Sequence, residues 1–129
     1  MMAAGKYLAP LVALIASGSV TAAATLDLPG SYGTPEGCIY LKDRTQWGEP
    51  VTVLTPTEYK DFVTACEYVQ VLPAGDGSRI VTLLCQQELD VTTIETWRVA
   101  KSPDQDAYSI FNAAGDRLVG ELAACEVPK

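Results

Sequence analysis

Four cysteines, Cys38, Cys66, Cys85 and Cys125, lie downstream of a segment ordered like a secretion signal. Lys6 supplies the positive start, residues 8–20 the apolar run, and Thr21-Ala22-Ala23-Ala24 the small residues a signal peptidase reads. The apolar run is shorter than the roughly 20 residues a spanning helix needs. No cysteine sits at the cleavage point to accept a lipid. Residues 1–24 therefore read as a signal peptide and 25–129 as one domain with no membrane span, periplasmic or secreted. Exported cysteines in even number pair as disulfides. The expected product is a small, covalently stapled fold.

Cleavage after Ala24 leaves 105 of the 129 residues, enough for one compact domain and too few for two. Losing Lys6 leaves eight basic residues against sixteen acidic ones, a net charge of −8. Such a surface repels phosphate backbones, so nucleic acid is a poor partner, whereas basic proteins are steered toward it. The sequence contains no histidine, which removes the commonest general base and metal ligand. Paired cysteines remove free thiolates too. These absences point away from an enzyme and call for no cofactor or metal.

Apolar runs in the domain are short, β-branched and punctuated by turn residues, which predicts strands. They cover residues 39–42, 51–55, 66–72, 79–87, 91–100, 107–111 and 117–122. The predicted class is mainly β: a small antiparallel meander barrel or half-barrel of six or seven strands, with a two-layer sandwich as the alternative. One stretch resists. Thr55-Pro56-Thr57-Glu58 matches a capping box, and Tyr59, Phe62, Val63 and Cys66 recur at helical spacing. A short helix over residues 56–64, lying across one barrel end, is expected there.

Folding the chain about Gly75 and Asp76 sets Tyr68 beside Leu83, Gln70 beside Val81 and Cys66 beside Cys85. Directly opposed residues lie within disulfide reach. Cys38 and Cys125 would then tie the first strand to the last. The competing pairing joins Cys38 to Cys66 and Cys85 to Cys125, and a turn shifted by one residue would put Cys66 and Cys85 on opposite faces.

Candidate binding residues centre on the polar loop Arg44-Thr45-Gln46-Trp47-Gly48-Glu49-Pro50. A loop tryptophan beside an arginine has the composition of a binding hot spot. Its competing role is to fold back and plug the barrel mouth. Tyr32 is grouped with Trp47 and Arg44 on the expectation that both loops share one barrel end. Trp97 and Phe111 lie within strands and are assigned to the core. Asp104 and Asp106 read as turn residues. Glu88, Asp90 and Glu95 read as the wet side of a strand, or as a face for a basic partner.

Gly30-Ser31-Tyr32-Gly33, Leu54-Thr55-Pro56 and the four cysteines resemble small exported bacterial proteins of undescribed role that carry four cysteines. The resemblance implies compartment and fold. A looser similarity is to periplasmic inhibitors of C-type lysozyme, small β-barrels whose inhibitory loop has a Ser-Gly pair followed by an aromatic. This chain has Gly77-Ser78-Arg79 instead, so the similarity rests on size, export and acidity. The expected role is an exported binding protein of the cell envelope, with inhibition of a basic hydrolase as its sharpest form. The alternatives are a carrier of a small apolar ligand within the barrel and a carboxylate-based hydrolase.

Overall fold

A computed structural model of the chain describes residues 24–44 and 50–126. Eight antiparallel strands close into a barrel in sequence order. They are β1 (Tyr32–Gly33), β2 (Val53–Leu54), β3 (Glu58–Lys60), β4 (Thr64–Pro73), β5 (Arg79–Gln87), β6 (Val91–Lys101), β7 (Ala107–Asn112) and β8 (Arg117–Ala124). The ring closes where Tyr32 pairs with Ala124 and Gly33 with Ala123. The antiparallel meander barrel is as expected, but it has eight strands where six or seven were expected, β1, β2 and β3 being very short. Among the described residues, no helix is long and apolar enough to cross a membrane.

Alternation along the strands fills the barrel. Cys66 and Tyr68 of β4, Val81, Leu83 and Cys85 of β5, and Trp97 and Val99 of β6 point inward. They meet Tyr32, Leu54, Tyr59, Ile110 and Leu122 from the remaining strands. These side chains fill the middle of the barrel, whose eight strands leave a narrow interior.

Both disulfides join the expected partners. Cys66 faces Cys85 across β4 and β5 with Cα atoms 4.0 Å apart, and Cys38 reaches Cys125 with Cα atoms 5.4 Å apart. The register needs a correction. Near the turn, Val71 faces Val81 and Gln70 faces Thr82, one residue off the expected pairing. The five-residue turn Ala74-Gly75-Asp76-Gly77-Ser78 is closed by Ala74 N–H donating to the Ser78 carbonyl at 2.9 Å. That turn alone would set Cys66 against Gln86. A bulge at Val69 between Tyr68 and Gln70 takes up the extra residue and returns Cys66 to Cys85.

The helix is elsewhere than expected. It is α1 (Pro35–Asp43), where a strand was expected at residues 39–42. Thr34 caps it by accepting from Gly37 N–H at 3.0 Å, and Pro35 occupies its first turn. Arg44 ends it in the left-handed conformation, its N–H donating to the Tyr40 carbonyl at 2.7 Å. The helix lies on the outer wall and not across a barrel end. A Cβ at Gly37 would stand 2.2 Å from the Thr52 carbonyl oxygen, so the glycine permits the close approach of α1 to β2. Buried Val51 and Val53 complete that contact.

Residues 56–64 form β3 and a turn, correcting the helix expected there. The cap hydrogen bonds do form: Thr55 Oγ1 accepts from Thr57 N–H at 3.2 Å and Glu58 N–H at 3.0 Å. The helix fails to propagate because Tyr59 pairs between Leu54 and Cys66 and enters the core. Asp61 then turns the chain, its Oδ1 accepting from Val63 and Thr64 N–H at 3.0 and 2.9 Å.

Candidate functional site

The two barrel ends differ. At one end the N-terminal segment crosses the opening and inserts Leu26 into the core, with Leu26 N–H donating to the Pro56 carbonyl at 2.9 Å. Arg79 grips Asp27 through two hydrogen bonds, at 2.9 and 2.7 Å, and holds the Asp27 carboxyl below its usual range. Asp106, at the same end, accepts from the Tyr32 hydroxyl at 2.7 Å. This end is closed.

The opposite end carries the β3–β4, β5–β6 and β7–β8 turns, together with the β1–β2 connection, and is open among the described residues. Its interior opens into a cavity of about 250 Å³ lined by Tyr59, Asp61, Gln87, Glu95, Trp97 and Leu118, with the Cys66–Cys85 bridge at its wall. Tyr59 meets the Trp97 ring edge-on at 4.9 Å, and its hydroxyl donates to Asp61 Oδ2 at 2.8 Å. Burial first, then the Asp61 carboxylate, pushes the Tyr59 phenol far above its ordinary range. Among the described residues, Thr93 Oγ1 and Trp97 Nε1 are buried without a hydrogen-bond partner. Glu95 stands between them on the inward side of β6, opposite Leu83.

Around this opening, apolar side chains project outward: Phe62, Val63, Leu89, Val91, Ile94 and Leu118. Leu89 is 93% exposed at the tip of the β5–β6 turn, flanked by Glu88 and Asp90. Its backbone is left-handed, φ 68°, and so is that of Asp90, φ 59°. For a residue with a side chain this costs about 1–2 kcal/mol relative to glycine's freedom. The turns at Gly77 and Gly115 meet the same positive φ with glycine. A leucine in that conformation, pointing into solvent, serves neither the turn nor the core.

Of the binding candidates picked out by composition, Tyr32 and Arg44 are described. Tyr32 is 1% exposed, packed edge-on against Tyr108 at 4.7 Å inside the barrel. Arg44 stacks over the Tyr40 ring at 5.3 Å. Lys60 Nζ donates to the Tyr40 hydroxyl at 2.9 Å, and these two cations hold that phenol below its usual range. Trp47 lies outside the described residues. Trp97 is in the core, as expected. Phe111 is not; it sits half-buried on the outer wall beneath Arg98, whose guanidinium lies 4.3 Å from its ring. Glu88 and Asp90 sit in the β5–β6 turn and Glu95 faces the inward side of β6, so the three do not form the wet side of one strand, and Leu89 between the first two escapes a reading of the sequence. Its only signal there is an apolar residue inside an acidic turn.

No family model, curated protein or solved structure matches the chain.

Proposed function

We propose that the chain is an exported binding protein of the cell envelope that docks a basic protein through the open end of its barrel, with inhibition of a basic hydrolase as the specific form. One observation carries this reading: a strained, solvent-pointing leucine set between two carboxylates beside further exposed apolar side chains. Backbone strain held away from any core contact concentrates at binding sites. An apolar anchor suits a partner's pocket, and the flanking Glu88 and Asp90 favour a positively charged rim. Two disulfides suit the oxidising compartment outside the cytoplasm. The carboxylates here keep ordinary turn and rim positions, and the role needs no reaction at them.

The test uses the wild-type protein immobilised against its native periplasmic extract, beside a Leu89→Asn variant that tolerates the left-handed backbone. Wild type should retain a basic protein in dilute buffer and release it in about 1 M salt, where charge interactions are screened beyond about 3 Å. The variant should retain at least tenfold less, and the eluted partner's wall-lytic activity should fall when wild type is added back. Equal retention by both proteins rules the reading out.

A further inference from the structure

The cavity at the open end has an uneven wall. Tyr59, Trp97, Leu118 and Val119 give it ring and aliphatic surface, its charged groups are Asp61 and Glu95, and no lysine or arginine is among the described residues that line it. The two carboxylates are not equivalent. Asp61 is committed, with one oxygen taking the Tyr59 hydroxyl and the other two backbone N–H groups. Glu95 is half-buried on the inward side of β6 and, among the described residues, makes no ion pair or hydrogen bond. The cations next in sequence to the lining residues are engaged outside it: Lys60 with the Tyr40 hydroxyl, Arg98 with the Phe111 ring and Arg117 with the Ser109 hydroxyl. A carboxylate drawn partly out of water in a concave wall is left uncompensated, and two of one sign focus attraction for positive charge.

We infer that this cavity is a slot for one basic side chain, arginine or lysine, of the docked protein. The inference rests on the docking reading and names the group that the partner presents. An anion would face the carboxylates of both Glu95 and Asp61. An apolar guest would strip water from Glu95 and return nothing, and a neutral polar one would leave its charge unanswered. A basic side chain meets each part of the wall. Its stem packs on aliphatic surface such as Leu118 and Val119, its head reaches the spare Glu95 carboxylate, and aromatic neighbours such as Tyr59 and Trp97 suit a cation, a guanidinium above all. The volume, about 250 Å³, is below the range of drug-sized sites, roughly 300–1,000 Å³, and fits a side chain better than a free ligand of that class. Leu89 is no part of the cavity wall, so anchor and slot are separable.

The experiment follows the backbone amide signals of Gln87, Glu95 and Leu118 by nitrogen–proton correlation NMR. N-acetylarginine amide and N-acetyllysine amide are the cationic probes; N-acetylcitrulline amide, the neutral counterpart of the first, and N-acetylnorleucine amide are the controls. At least one cation should shift these signals saturably and bind at least tenfold more tightly than either control. Glu95→Gln should weaken it at least tenfold with the remaining spectrum intact, and should lower retention of the basic partner on the immobilised protein. Leu89→Asn should leave probe binding unchanged. No saturable shift with either cation overturns the inference, as does a control binding equally tightly, or full probe affinity or full partner retention in Glu95→Gln. Leu89-dependent retention without cation binding would remove the slot and leave docking standing. Cation binding with no partner retained would overturn the docking reading and, with it, a partner's side chain as the guest.

Discussion

Leu89 separates stability from function at the scale of one side chain. It is almost fully exposed, so replacing it sacrifices no core contact, and asparagine adopts its backbone conformation more readily. Leu89→Asn should therefore raise stability by about 0.5–1 kcal/mol while it removes partner binding; urea melts beside the retention assay check both. Destabilisation would mean that Leu89 holds the turn together. The tyrosines allow a second prediction. Tyr32, Tyr59, Tyr68 and Tyr108 all have phenols raised chiefly by burial, whereas Lys60 and Arg44 lower Tyr40. A folded value above the unfolded one means stability is intact below about pH 10 and declines as pH climbs past it. Ultraviolet absorbance of the phenolates should show one tyrosine ionising first, and the buried ones only together with alkaline unfolding. Independent titration of all of them near the ordinary value would contradict the packing. Little of this is legible in the sequence. Positive φ is announced by glycine or asparagine, and a leucine there carries no such mark.

At the scale of elements, the chain contains two Thr-Pro starts, Thr34-Pro35 and Thr55-Pro56, and both make cap hydrogen bonds. Local signals cannot rank them, because the decision is tertiary: Tyr59 gains a barrel position, while Gly37, a poor helix residue, gains a close fit against β2. Gly37→Ala should destabilise the fold by about 2 kcal/mol or more, although alanine is favoured in helices by about 1 kcal/mol. The 2.2 Å approach of a Cβ to the Thr52 oxygen outweighs propensity, since backbone cannot step aside. Thermal melts decide; a stabilised variant would mean that α1 does not rest on β2. The long strands are readable because alternation, turn residues and the cysteine pair agree. The bulge is not. Val69 is exposed and unremarkable in sequence, yet it sets which residue faces Cys66. Deleting Val69 should remove the bulge and leave Cys66 opposite Cys85 in an unbroken ladder, so the bridge still forms and no free thiol appears, checked by thiol titration. Free or scrambled thiols in that deletion would show that Val69 is not the residue the ladder leaves unpaired.

For the whole molecule, barrel closure and disulfide pairing are one fact seen twice. Strands in sequence order bring β1 beside β8, and Cys38 on α1 and Cys125 just past β8 seal that junction. Chain-entropy reasoning gives about 4.5 kcal/mol for the long loop and about 3 for the β4–β5 loop. Those contributions matter in a domain of this size, where burial alone leaves little margin. The meander and the acidic charge can be read from the amino acids. Which end stays open cannot, because it depends on Leu26 reaching back across the other end. The most direct measurement is non-reducing peptide mass mapping of the protein recovered from its native compartment. The expected result is a chain starting at Thr25, lighter than its reduced form by four hydrogens, with Cys38 linked to Cys125 and Cys66 to Cys85. Free thiols, or a peptide joining Cys38 to Cys66, would contradict it.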